Sequence, residues 1–235
     1  MKPIAIFVAG DPVPAAQQRR GGFEAMIRET VGAEYESWQI LDLRTAETLP
    51  SPEQFAGAIV TGSASSVTDR EAWTLRGESM LRDMVAAKLP LFGICYGHQM
   101  LGQALGGKVE KNPRGREIGT VRVEPLDDDE LLSVKEPYLA QATHVDSVVT
   151  LPPSAHVLGR TALDPYAAVR FAEAAWGVQF HPEFDPDVMR DYIRTRADVL
   201  EQEGSDAQAL LAAVRETPVS KSLLTRFVQQ VRRVA

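Results

Sequence analysis

The sequence predicts an α/β fold: a doubly wound, mainly parallel sheet with flanking helices, a small antiparallel strand-rich section and a helical C-terminal tail. Three observations carry this. Short apolar runs alternate with amphipathic helical stretches through the first half, the order of strand–crossover–strand units. After Gly106 the texture changes to closely spaced strand patterns. From Asp185 onward, helical spacing returns and continues into the tail.

Ile4–Ala9 is a nearly continuous apolar run, as expected of a strand covered on both faces. Lys2 before it imitates the start of a signal peptide. The run is too short for one, and Gly10, Asp11 and Pro12 break it, so it reads as the first buried strand. A polar loop containing Asp11, Pro12, Pro14 and Gly21–Gly22 leads to a helix over Phe23–Val31. Strands are expected at Tyr35–Leu43, Gly57–Val60 and Leu89–Ile94. Between the last two, Trp73, Gly77, Met80, Leu81, Met84 and Val85 recur at helical spacing over Glu71–Lys88, and Pro90 stops the helix.

The strand-rich section comprises Lys108–Lys111, Gly119–Val123, Ser147–Leu151, Val157–Thr161, Ala167–Phe171 and Ala174–Phe180. Asp185 followed by Pro186 is an N-cap and first-turn pair, opening a helix whose Val188, Met189, Tyr192, Ile193, Val199 and Leu200 share a face. Gly204–Ser205 and Pro218 then divide two further helical stretches. Residues 1–200 are expected to form the principal domain and 201–235 a helical extension, too small to stand alone, that covers an apolar face or makes a homo-oligomer contact.

The formal net charge of −7 argues against nucleic acid or an anionic membrane as partner, since both need basic surface. The basic residues Lys108, Lys111, Arg114 and Arg116 read as a solvated loop rather than a docking patch. With a single cysteine no intrachain disulfide can form, and a reducing cytoplasm is the expected compartment. Gly102–Lys108 imitates a phosphate loop but has Val109 where a hydroxyl residue is needed. Asp127–Glu130 lacks the spacing of a calcium loop. No metal and no cofactor is expected.

The most informative stretch is Pro90-Leu-Phe-Gly-Ile-Cys95-Tyr-Gly-His-Gln-Met. Gly93 and Gly97 bracket Cys95 where an apolar strand meets a helix, the thiol counterpart of a Gly-x-Ser-x-Gly elbow. The turn sets the sulfur at a helix N-terminus, where unpaired N–H groups and the helix dipole favour a thiolate and can hold an oxyanion. Among four histidines, His181 ends a strand and is followed by Pro182 and Glu183. Residues two apart in extended chain share a face, so Glu183 can orient His181 as the third member of a Cys-His-acid triad. Gly62, at the end of another strand, is a candidate oxyanion donor.

Thr61-Gly62-Ser63, Phe92-Gly-Ile-Cys95-Tyr-Gly-His-Gln99 and Gly177-Val-Gln-Phe-His181-Pro-Glu183 resemble, in order, the three signature blocks of class I (triad-type) glutamine amidotransferase domains. The resemblance runs from about Ile4 to about Ile193 and implies a flavodoxin-like sheet. It implies attack of Cys95 on the γ-carboxamide of glutamine, release of ammonia and hydrolysis of a γ-glutamyl thioester. His181 would be base and acid, Glu183 its orienting partner, and the N–H groups of Gly62 and Tyr96 the oxyanion donors. Gln99 matches a glutamine-binding position. Thr143-His144-Val145-Asp146-Ser147-Val148 resembles the segment near glutamine's α-amino and α-carboxylate groups. Thr143 stands where Ser is usual and Val145 where Gly is frequent in GMP synthetases, a departure that weakens that assignment more than it weakens glutamine binding.

Most such domains feed a synthetase module, and none fits in this chain, so a separate synthetase or acceptor subunit is the implied partner. Val67-Thr-Asp-Arg-Glu-Ala-Trp73 and Gly22-Phe23-Glu-Ala-Met26 resemble the stand-alone branch, which includes γ-glutamyl peptidases. Three classes follow: a stand-alone amidotransferase or glutaminase subunit, a γ-glutamyl peptidase, and a silent binding or regulatory protein on the same fold. Intact Cys95, His181 and Glu183 argue against the third.

Overall fold

A computed structural model of the chain describes residues 2–32 and 37–234. The first strand, β1 (Ile4–Val8), is buried at every residue. Alternation sends Ile4, Ile6 and Val8 into one core and Ala5 and Phe7 into another, so the strand is covered on both faces. The segment expected as a polar loop contains a helix, α1 (Pro14–Arg20), with proline at its first position. Proline there removes only an N–H that has no intrahelical acceptor, so Pro14 starts a helix rather than preventing one. α2 follows at Phe23–Val31. The second strand is observed as β2 (Trp38–Asp42); Tyr35 and Glu36 of its predicted span lie outside the described residues.

β3 (Gly57–Val60), α3 (Ala72–Ala86), β4 (Leu91–Ile94) and α4 (Tyr96–Ala104) complete the winding. Then come β5 (Lys108–Lys111), β6 (Glu117–Pro125), β7 (Tyr138–His144), β8 (Asp146–Thr150), β9 (His156–Arg160), β10 (Ala168–Ala172) and β11 (Ala175–Val178). Among the described residues nine strands form one sheet in the order β2-β1-β3-β4-β11-β10-β9-β6-β7, and β5 pairs with β8 apart from it. β2 to β11 run parallel, with β1 flanked by β2 and β3, the flavodoxin-like order. β10, β9, β6 and β7 are antiparallel and extend the same sheet from β11.

β7 lies where no strand was expected, and His144 ends it. The helix expected from Pro186 to Leu200 is divided into α5 (Pro186–Thr195) and α6 (Ala197–Gln202) at Arg196, where the backbone leaves helical geometry at φ −108°, ψ 11°. α7 (Ala207–Ala213) and α8 (Pro218–Val234) follow. Leu223, Leu224, Phe227, Val228 and Val231 of α8 are fully buried in the core that holds Ile4, Ile6, Ile59 and Phe92. On the opposite face, Leu81 and Met84 of α3 pack with Met100 and Leu101 of α4. No described helix is long and apolar enough to cross a membrane.

Candidate active site

The carboxyl ends of β3, β4 and β11 meet at one edge of the sheet, the place where open α/β sheets collect ligands. At the end of β4 the chain turns into α4 within one residue, and Cys95 takes φ 50°, ψ −99°, a left-handed conformation unfavourable for a residue with a Cβ. Both flanking glycines are sterically required. A Cβ on Gly93 would stand 2.5 Å from the Gly97 carbonyl oxygen, and one on Gly97 would strike the Val60 carbonyl oxygen. The Cys95 N–H donates to Val178 O at 2.8 Å, tying the elbow to β11.

Cys95 is buried, with the side-chain amide of Gln179 3.5 Å from its Sγ. Gln179 in turn accepts from Gln99 Nε2 at 3.1 Å, and the same amide of Gln99 donates to Asp146 O at 2.8 Å. Tyr96 occupies the first position of α4, where its N–H has no intrahelical acceptor. Gly62 presses on the imidazole of His181: a Cβ there would lie 2.8 Å from Cε1.

His181 and Glu183 meet at 2.8 Å through Nδ1 and Oε1, both side chains buried. They meet in a tight turn, closed by Phe184 N–H to His181 O at 3.3 Å, and not along the extended chain expected from their spacing. The ring stacks on Phe184 at 4.1 Å, and its backbone N–H donates to Gln141 O at 2.7 Å. Burial opposes its charge, but the Glu183 carboxylate and the facing Cys95 outweigh that and raise the His181 pKa to about 10. With Nδ1 committed to Glu183, Nε2 is the nitrogen left for the sulfur.

The other histidines have different surroundings. His98 lies behind the elbow against Phe171, and burial pushes its pKa down to about 3, so it is neutral. His144 is bonded to Glu117 at 3.1 Å and to Asp146 O at 3.0 Å. Burial works against its charge, yet the Glu117 bond and nearby carboxylates raise its pKa. His156 is exposed and paired with Asp127.

A cavity of about 310 Å³ opens on Cys95 and is lined by Tyr96, Gln99, Thr143, His144, Val145 and Arg196, among others. It gathers Cys95 with Tyr96 and the four residues singled out for substrate binding. A second cavity, of about 220 Å³, lies on the His181 side, bounded by Pro12, Phe23, Tyr192 and again Thr143 and Arg196. Gln179 and Arg196 were not foreseen as site residues. Gln179 sits two positions before His181 in the signature block, a same-face spacing that could have disclosed it; Arg196 leaves no local signal.

The family description "Glutamine amidotransferase class-I" matches residues 23–197. The GMP synthase [glutamine-hydrolyzing] of Aeropyrum pernix is 36% identical over 138 residues, covering 58% of this chain and 25% of its own length. The chain thus spans about a quarter of that relative. A glutamine amidotransferase-like protein of Schizosaccharomyces pombe is 26% identical over 207 residues, with 81% of this chain and 83% of the relative covered. In fold, the crystal structure of a glutamine amidotransferase from Thermotoga maritima superposes with a TM-score of 0.76 at 23% identity, covering 98% of both chains. With the family match spanning most of its length, this chain belongs to the class-I glutamine amidotransferases.

Proposed function

We propose that the chain hydrolyses the γ-carboxamide of glutamine through a γ-glutamyl thioester on Cys95, as a stand-alone amidotransferase or glutaminase subunit. The observation that carries this reading is the strained elbow that holds Cys95 beside the buried His181–Glu183 pair. Cys95 Sγ attacks the γ-carbonyl, and His181 delivers a proton to the departing nitrogen as the C–N bond breaks. Water then adds to the thioester with His181 as base; the C–S bond breaks and the sulfur is regenerated. Glu183 holds the imidazole tautomer and balances its charge while buried. The N–H groups of Gly62 and Tyr96 take the oxyanion.

The glutamyl moiety occupies the 310 Å³ cavity, against Gln99, Thr143, His144 and Val145. The Glu117 bond to His144 keeps that wall fixed. Arg116 and Arg196 line this cavity together with Asp146, a lining of both signs that suits the ammonium and carboxylate of a zwitterionic substrate. The ammonia goes to a separate synthetase subunit, a reading favoured by the quarter-length match to GMP synthases. The test is glutamate and ammonia release with Cys95→Ala beside the wild type. Release is expected to vanish in a variant that still folds; undiminished release would exclude the thioester route.

A further inference from the structure

Gln179 touches the reacting sulfur, and its place there is set by the backbone. β11 ends at Val178, whose carbonyl accepts from the Cys95 N–H at 2.8 Å. The next residue sends its side chain to the sulfur, with Nε2 3.5 Å from Sγ. The Gln179 backbone N–H donates to Ala167 O at 2.9 Å, which anchors the chain that carries this side chain.

Which end of the amide meets the sulfur follows from its partners. Asp146 O can only accept, so the Gln99 atom 2.8 Å from it is Nε2. The second hydrogen of the same nitrogen goes to Gln179 at 3.1 Å, which therefore presents Oε1. That leaves Gln179 Nε2 for Cys95. Both glutamines are buried, so a flipped Gln179 amide would set two donors against each other with no water to repair the loss. Thr143 O, 4.0 Å from Sγ, is an acceptor and offers an anionic sulfur nothing. Sulfur accepts weakly when neutral, and hydrogen bonds to a charged acceptor are about twice as strong as neutral ones. A donor fixed beside Sγ thus favours the anionic sulfur over the thiol and the thioester.

We propose that Gln179 is a further catalytic residue, donating its Nε2–H to the Cys95 sulfur when that sulfur is anionic, and that Gln99 is the positioning residue that holds the Gln179 amide in this orientation. The inference rests on the Cys95 thioester reading. As water adds to the thioester, His181 takes its proton. The C–S bond then breaks with its electron pair going to sulfur, where the Gln179 N–H meets the charge, and glutamate leaves. Gln99 has both amide hydrogens committed within the protein, so only its Oε1 remains for a substrate donor.

The test is alkylation of Cys95 by iodoacetamide without substrate, read beside kcat and KM for glutamine, in the wild type, Gln179→Met, Gln179→Asn and Gln99→Met. Cys95 is the single cysteine, so the label reports it alone. The titratable groups that act on the sulfur are His181, His144, Tyr192 and Arg196, and no variant alters them. Methionine keeps the length of glutamine without an N–H. Asparagine keeps the amide but stops one methylene short, and serves where methionine prevents folding. At neutral pH both are expected to slow alkylation about tenfold to a hundredfold, the range of one hydrogen bond to a charged group. The deficit should close as pH rises and the thiol ionises without help. For glutamine, kcat should fall with KM little changed, and Gln99→Met should show part of the same alkylation deficit. Unchanged alkylation in the Gln179 variants overturns the proposal. So does a deficit that persists at alkaline pH, the mark of a displaced sulfur rather than a lost donor. A Gln99→Met that raises KM and leaves alkylation untouched overturns the positioning role. Glutamine turnover with alkylation indifferent to Gln179 leaves the thioester reading standing; Gln179-dependent alkylation in a wild type without turnover removes that reading instead.

Discussion

Gly62→Ala is the most direct probe of how His181 is held. Gly62 is not among the glycines with positive φ, so alanine can keep the backbone and the effect is steric. The new Cβ would lie 2.8 Å from His181 Cε1, whereas carbon atoms rest at about 3.5 Å or more. Something must therefore give by about 0.7 Å. Gly62 is poorly placed to withdraw: Thr61 N–H bonds Phe7 O at 3.0 Å and Thr61 O accepts from Gly97 N–H at 3.2 Å. The imidazole is confined too, by Phe184 at 4.1 Å and by its 2.8 Å bond to Glu183. Catalytic groups need placement within about 0.5 Å, and a 1 Å error can cost on the order of a hundredfold. We expect kcat for glutamine hydrolysis to fall about tenfold to a hundredfold, with a stability loss of about 1–3 kcal/mol from overpacking. Glutamate release by a coupled dehydrogenase assay, run beside a thermal melt, reads both. A kcat within threefold of wild type would refute the claim that His181 acts from its observed position.

Glu183→Gln should lower the His181 pKa and move the alkaline limb of kcat/KM to lower pH by about one to three units, the reach of one opposite charge. An unmoved limb would separate His181 from that ionisation. Because the folded-state pKa of His181 is raised, its contribution to stability is full below about pH 6.5 and is lost as pH climbs toward about 10, a trend that urea melts across that window should follow. Cys95→Gly should unfold at higher urea than Cys95→Ala, by about 1–2 kcal/mol, since glycine relieves the φ of 50°; equal midpoints would mean the turn is unstrained. Phe227→Ala should cost about 3–5 kcal/mol, because the ring is fully buried 5.4 Å from Phe92. A loss under about 1 kcal/mol by the same measurement would mark α8 as a loose appendage.

Much of this was legible locally. The elbow depends on residues within one turn of each other, so Gly93, Cys95 and Gly97 declare it in the chain itself. Strands β1, β3 and β4 could be read because burial on both faces forces unbroken apolar runs. β7 escaped notice because Tyr138–His144 carries a single β-branched residue and has a proline just before it; its pairing with β6 supplies what local propensity lacks. α1 was hidden because Asp11, Pro12, Pro14 and Gly21–Gly22 read together as a polar loop. His181 and Glu183 were paired for a partly wrong reason, since a turn and not strand alternation joins them. Arg196 was not foreseen because it stands in the break between α5 and α6, and only the fold brings the two cavities to it.

The position of β11 has a consequence for how the molecule acquires activity during folding. β1 to β4 and their helices are close in sequence and can assemble early. β11 joins β4 only after the intervening antiparallel strands have folded back, a non-local pairing with a large loop-closure penalty. The Cys95 N–H waits for Val178, and His181 arrives just after the same strand. During refolding, helical signal should therefore recover before turnover does, and recovered turnover reports the latest pairing in the sheet rather than its secondary-structure content.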